Sequence, residues 1–98
     1  MAVMNKIHNE QTELFFKCVL ELKTIDECYA FFEDICTVKE LDSISRRVKA
    51  AQLLSQNMIY SDIAKETGAS TATISRVKRS LDNGNDGYTL AFDRINKK

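Results

Sequence analysis

The stretch Tyr60-Ser61-Asp62-Ile63-Ala64-Lys65-Glu66-Thr67-Gly68-Ala69-Ser70-Thr71-Ala72-Thr73-Ile74-Ser75-Arg76-Val77-Lys78-Arg79-Ser80-Leu81 reads as two short helices joined by a tight turn. Ile63 and Ala64 put an apolar and a small residue on the inner face of the first helix, which lets a second helix cross closely over it. Gly68 follows where a helix ending in a left-handed residue needs no Cβ. Ser70 is a good N-cap, because its hydroxyl can accept a free amide of the next helix's first turn. Ile74, Val77 and Leu81 recur at spacings of three and four and give that helix one buried stripe. Thr71, Thr73, Ser75, Arg76, Lys78, Arg79 and Ser80 are left outward. A polar, basic face on a short helix is what reading a DNA major groove requires, so the pattern is a helix-turn-helix and double-stranded DNA is the expected partner. Helical hairpins also occur as plain packing units, and a basic face is often only solvated surface. The small residue, glycine, capping serine and apolar stripe in one register favour DNA.

The charge distribution agrees with that reading although the net charge does not. The 98 residues sum to zero formal charge, whereas nucleic-acid-binding domains tend to be basic. Residues 1–45 carry four lysines against nine carboxylates, and residues 46–79 carry seven basic residues against Asp62 and Glu66. The positive part therefore coincides with the helical hairpin and the helix ahead of it. The length suits one small domain with a modest core. Cys18, Cys28 and Cys36 are odd in number and lack CxxC spacing, which fits reduced core thiols of a cytoplasmic protein. His8 is the only histidine, so a zinc site or a Ser-His-Asp arrangement has almost no material, and neither a catalytic constellation nor a metal site is expected. No apolar run approaches the roughly 20 residues needed to span a bilayer, and no signal peptide is visible, so no membrane association is expected.

Proline is absent and glycine occurs only at Gly68, Gly84 and Gly87, so element boundaries are read from caps. Ile7, Leu14, Phe15, Cys18, Val19 and Leu22 mark an amphipathic first helix, whose arc Phe16 and Leu20 widen. Thr24 with Glu27 forms a capping-box pattern that opens a helix carrying Cys28, Phe31, Phe32 and Ile35. Thr37 with Glu40 repeats it ahead of a longer helix, with Leu41, Ile44, Val48, Ala51 and Leu54 inward and an end near Gln56 to Met58. Asp82 to Gly87 is a polar loop, and Tyr88, Leu90, Ala91, Phe92 and Ile95 suggest a short terminal helix over 88–97. Nothing of length alternates with period two. The expected fold is all-α, with six short helices and the helix-turn-helix as the fourth and fifth. So small a chain can hardly cover Phe15, Phe16, Leu20, Phe31 and Phe32 from every side, which points to burial against a second copy.

Six short helices in this order, with the run Gly68-Ala69-Ser70-Thr71-Ala72-Thr73-Ile74-Ser75-Arg76, resemble the tryptophan repressor superfamily, and within it the small YerC/YecD-type branch. Leu53-Leu54 and Met58 ahead of the hairpin, and Ser80-Leu81 behind it, match as well. The likeness covers nearly the whole chain in helix order and is specific from about Arg46 to Leu81. It implies an intertwined homodimer in which residues 1–58 build a shared dimerisation core and residues 60–81 project as DNA-reading heads. Base-reading positions implied by the likeness are Thr71, Ala72 and Ser75, with Arg76 near both backbone and ligand. In tryptophan-binding members two arginines sandwich the indole ring and a glycine follows the second. Arg76 matches the second arginine, Arg46 or Arg47 supplies the first, and Ser80 belongs to the same candidate ligand set. The glycine is Val77 here. A β-branched side chain fills volume and restricts backbone approach, so a small-molecule corepressor other than tryptophan, or none, is expected.

These readings converge on a sequence-specific transcriptional regulator, a repressor that binds a palindromic operator as a homodimer. Lys78, Arg79 and Lys49 would take phosphates and supply affinity and register. Thr71, Ala72, Thr73, Ser75 and Arg76 form the face that reads bases or lies beside them, with threonine and alanine methyls able to pack on a thymine methyl. The alternative is a protein-interaction module of the transcription machinery without DNA specificity of its own. An enzyme has the least support.

Overall fold

The computed structural model describes residues 6–98. Six helices follow one another: α1 (Glu10–Leu20), α2 (Ile25–Ile35), α3 (Val38–Ser55), α4 (Tyr60–Thr67), α5 (Thr71–Asn83) and α6 (Gly87–Asn96). No strand occurs among the described residues. The all-α architecture with a helical hairpin in fourth and fifth place is as the sequence predicts. The chain forms two compact units with the boundary between Val38 and Lys39.

The first unit carries α1 and α2. Asn9 caps α1 by accepting from the Thr12 amide at 2.9 Å, so the helix starts after Ile7 and ends before Leu22, inside the limits that periodicity suggests. Thr24 caps α2, accepting from the Glu27 amide at 3.0 Å, while the Glu27 carboxylate reaches back to the Lys23 amide at 2.8 Å. That is the predicted capping box with its return bond one residue earlier than usual. The two helices meet through aromatic rings. Phe15 lies 6.2 Å from Phe31 in a stacked arrangement, and Phe31 meets Phe32 edge-on at 5.5 Å. Yet neither helix contains a fully buried residue, and Leu20 and Ile25 are 80% and 75% exposed. All three cysteines are free thiols; Cys18 and Cys36 are half-buried, but Cys28 is exposed and so is no core residue.

The second unit holds the buried core. Ala50, Leu53, Ile63, Ala69 and Ile74 cluster together, with Leu54, Met58 and Ala64 packed against them. Ile63 and Ile74 are fully buried, and each such side chain contributes roughly 1.5–3 kcal/mol of transfer free energy. The inner face of α3 is as predicted at Ala51 and, half-buried, at Leu41 and Leu54, but not at Ile44 and Val48. Ala50, Ala51 and Leu53 are buried, whereas Ile44 and Val48 are exposed and line an open cleft of about 600 Å³ with Phe92 and Ile95 of α6. Small alanines, not the β-branched residues, face inward at this part of α3.

The end of α3 is a Schellman motif. Asn57 adopts φ 64°, the Met58 amide donates to the Leu53 carbonyl at 3.1 Å, and the Asn57 amide donates to the Leu54 carbonyl at 3.0 Å. Asparagine tolerates the left-handed region better than most residues with a Cβ. Helix α5 extends through Asn83 and shortens the predicted Asp82–Gly87 loop. It stops at Gly84, where a Cβ would collide with the Ser80 carbonyl oxygen.

Candidate nucleic-acid interface

The hairpin is built by local bonds that the sequence encodes residue by residue. Gly68 ends α4 in the left-handed region at φ 76°, and its amide donates to the Ala64 carbonyl at 2.9 Å. The Thr67 hydroxyl donates to the Ile63 carbonyl at 2.7 Å and accepts from the Ala69 amide at 3.0 Å, which satisfies two backbone groups inside the turn. Ala69 is buried, so the turn is anchored to the core at its centre. Ser70 then caps α5, its hydroxyl oxygen accepting from the Thr73 amide at 3.1 Å and lying 3.0 Å from the Thr73 hydroxyl. Ile74 and Val77 are buried and Leu81 is half-buried, so the predicted stripe faces inward.

Turning Ile74 and Val77 inward fixes what faces out. Thr71, Ala72, Arg76, Lys78, Arg79 and Ser80 are exposed, while Thr73 and Ser75 are half-buried. Thr73 is partly withdrawn because its hydroxyl is engaged by the cap. Among the described residues Arg76 and Arg79 join no ion pair, whereas Lys78 meets Asp82 one turn later at 3.3 Å. Lys49 on α3 is exposed, and its ammonium donates to the Gln52 side-chain oxygen at 2.8 Å. The outward face of α5 is therefore hydroxyls and one methyl in its first turn, followed by cations.

The four residues expected of a small-molecule site lie on two helices, Arg46 and Arg47 on α3 and Arg76 and Ser80 on α5. Ser80 lines a cleft of about 420 Å³ with Val48, Asn85, Tyr88, Ala91 and Phe92. The three arginines do not line it. Arg47 donates to the Ser43 hydroxyl at 3.2 Å, and Arg76 is exposed on α5. Arg46 instead pairs with Asp42 and donates to the Gly68 carbonyl. Val77 is 2% exposed, so its side chain is committed to the inside of the helical unit. Asp42 was not among the residues singled out from sequence, although its i,i+4 spacing from Arg46 is a readable pairing signal.

The family model described as Trp repressor protein matches residues 10–96. The chain belongs to the Trp repressor family. A Bacillus subtilis (strain 168) protein, described as the uncharacterized protein YerC, is 46% identical over 92 residues, covering 94% of this chain and 88% of that protein. The crystal structure of a TrpR like protein from Eubacterium eligens superposes with a TM-score of 0.91 at 50% identity, covering 95% of this chain and 96% of the other. A second crystal structure, from Staphylococcus aureus, gives 0.90 at 47% identity over 95% and 93% of the two chains. The similarity to YerC places the chain in the YerC-like branch, and membership of the Trp repressor family makes a DNA-binding regulator the expected class. Among the described residues no helix is long and apolar enough to cross a membrane, and no group of three or more His, Cys, Asp or Glu is placed to hold a metal ion.

Proposed function

We propose that this protein is a sequence-specific transcriptional repressor that binds a palindromic DNA operator as a homodimer and uses α5 as its reading helix. The observation that carries the reading is the outward face of α5, with Thr71 and Ala72 exposed at its capped start and the unpaired cations Arg76 and Arg79 one to two turns on. Thr71 and Ser75 can exchange hydrogen bonds with base edges, and the Thr71 and Ala72 methyls suit a thymine methyl. Arg76, Lys78, Arg79 and Lys49 supply phosphate neutralisation, with Thr73 half-buried at the start of α5. Hydroxyls and methyls are weak readers one at a time, so water-bridged contacts and DNA shape carry part of the discrimination.

The dimer is supported by the first unit. Its two helices bring together a phenylalanine cluster without burying a single residue, a surface suited to a second copy. Selection of bound sequences from a random DNA pool tests the whole reading. It should return an inverted repeat with half-sites about one helical turn apart. Recovery of no preferred sequence would instead favour a protein-docking role for the hairpin.

A further inference from the structure

Arg46 projects from α3, and its guanidinium binds in two directions. Its Nε lies 2.9 Å from Asp42 Oδ2 on the same helix, and its Nη1 donates to the Gly68 carbonyl, 22 residues away, at 2.9 Å. The guanidinium also lies against Gly68, since a Cβ built there would sit 3.2 Å from Nη1 and 3.3 Å from Cζ. Gly68 precedes the buried Ala69 and the cap Ser70, so its carbonyl is three residues from the start of α5. Burial of Ala69, Ile74 and Val77 sets which face of α5 turns inward but constrains its tilt less, because apolar packing is non-directional. The Arg46 bond is directional and ties the turn to α3.

We propose that Asp42 and Arg46 form a clamp that sets the orientation of α5 against α3, making Arg46 a positioning residue for DNA reading and not a phosphate contact. The inference rests on α5 being the reading helix. Arginine suits the task because its planar fork can hold a carboxylate and a carbonyl at once, whereas lysine presents a point charge on a flexible stem. Asp42 fixes the fork's plane, and the absence of a side chain at Gly68 lets that plane approach the backbone. The Arg46 and Asp42 side chains are 45% and 54% exposed, so the pair contributes little to global stability and its removal should leave the protein folded. A small tilt of α5 would nonetheless displace Thr71, Ala72 and Ser75 together.

The test compares the wild-type protein with Arg46→Ala, Arg46→Lys and Asp42→Asn. Binding to the best selected duplex and to a scrambled one is measured across salt concentrations, and amide hydrogen exchange is followed in the free proteins. Both Arg46 variants should lose about tenfold in the ratio of specific to non-specific affinity, the size of one lost base contact, at an unchanged salt slope. Thr73 and Ile74 amides in the first turn of α5 should exchange several-fold faster while α3 amides keep their rates, and Asp42→Asn should fall between. A salt slope lower by about 0.9 in Arg46→Ala would place Arg46 on a phosphate and overturn the clamp. Wild-type behaviour of Arg46→Lys would do so too, since charge alone would then suffice. If the wild-type protein itself shows no sequence preference, the reading of α5 fails. The clamp is then judged by exchange alone: acceleration in the first turn of α5 upholds it and unchanged rates reject it.

Discussion

Gly68 meets two independent constraints, a left-handed backbone at φ 76° and a guanidinium lying against its α-carbon. An L-residue in that backbone region costs roughly 1–2 kcal/mol, and a methyl there also presses on Arg46. Gly68→Ala should therefore lower the unfolding free energy by at least about 1 kcal/mol, and Ser70→Ala by about 1 kcal/mol through loss of the Thr73 cap. Urea titrations with unchanged m-values are the check, and two wild-type midpoints would show that the turn is not held by these residues. Val77 supplies a prediction about ligands. A tryptophan-binding site of this family needs no side chain at that position, whereas Val77 is almost fully buried beside Ile74 in the α5 stripe. Moving it aside would disturb that packing, at a cost of about 1–3 kcal/mol for an overpacked interior. L-tryptophan should give no saturable micromolar heat in calorimetry and no tightening of operator binding. A saturable signal abolished by Arg76→Ala would show that the site accepts the ring despite Val77.

Helix α5 combines an inward stripe with an outward basic face, and the two can be separated by mutation. Arg79→Ala should weaken every DNA sequence alike and lower the log-log salt slope by about 0.9, because a phosphate contact carries no sequence information. Asp82→Asn should act in the opposite direction on affinity, since it releases Lys78 from its 3.3 Å pair and removes a carboxylate from the same helix. Thr71 and Ser75 variants should change which sequence is preferred at nearly constant slope. An Arg79→Ala protein with wild-type affinity and slope would make the basic face ordinary solvated surface. The stripe and face of α5 were legible in the sequence because a capped helix with one apolar period admits one orientation, and Gly68 and Ser70 mark both sides of the turn. The inner face of α3 was legible only in part. Its apolar residues spread over a wide arc, and the choice of Ala50 and Leu53 over Ile44 and Val48 depends on where α4 and α5 pack. Asn57 escaped notice for a different reason, since asparagine in the left-handed region lacks the glycine that usually signals such a cap. The Arg46–Gly68 bond is non-local, and no spacing rule spans 22 residues.

At the scale of the molecule, the apolar residues divide unevenly between the two units. Residues 39–98 enclose their own cluster around Ile63 and Ile74, whereas α1 and α2 leave Leu14, Phe16, Leu20, Ile25 and Tyr29 more than half exposed in a single chain. Isolated exposed apolar residues are common on protein surfaces, but this many on two consecutive helices support the proposed second copy. If the chain were a monomer, Leu20→Lys and Ile25→Lys would be surface substitutions within about 0.5 kcal/mol of neutral. In a homodimer that buries these residues, each change places a charge in an apolar interface and should cost several kcal/mol. The wild-type protein should therefore scatter light with twice the 11.2 kDa chain mass at micromolar concentration, and its thermal midpoint should rise with protein concentration. The two lysine variants should shift toward the monomer mass or unfold, and should lose cooperative protection of the paired half-sites. A wild-type mass of one chain, with a midpoint independent of concentration and both variants as stable as wild type, would leave the exposed face of α1 and α2 without a second copy to cover it.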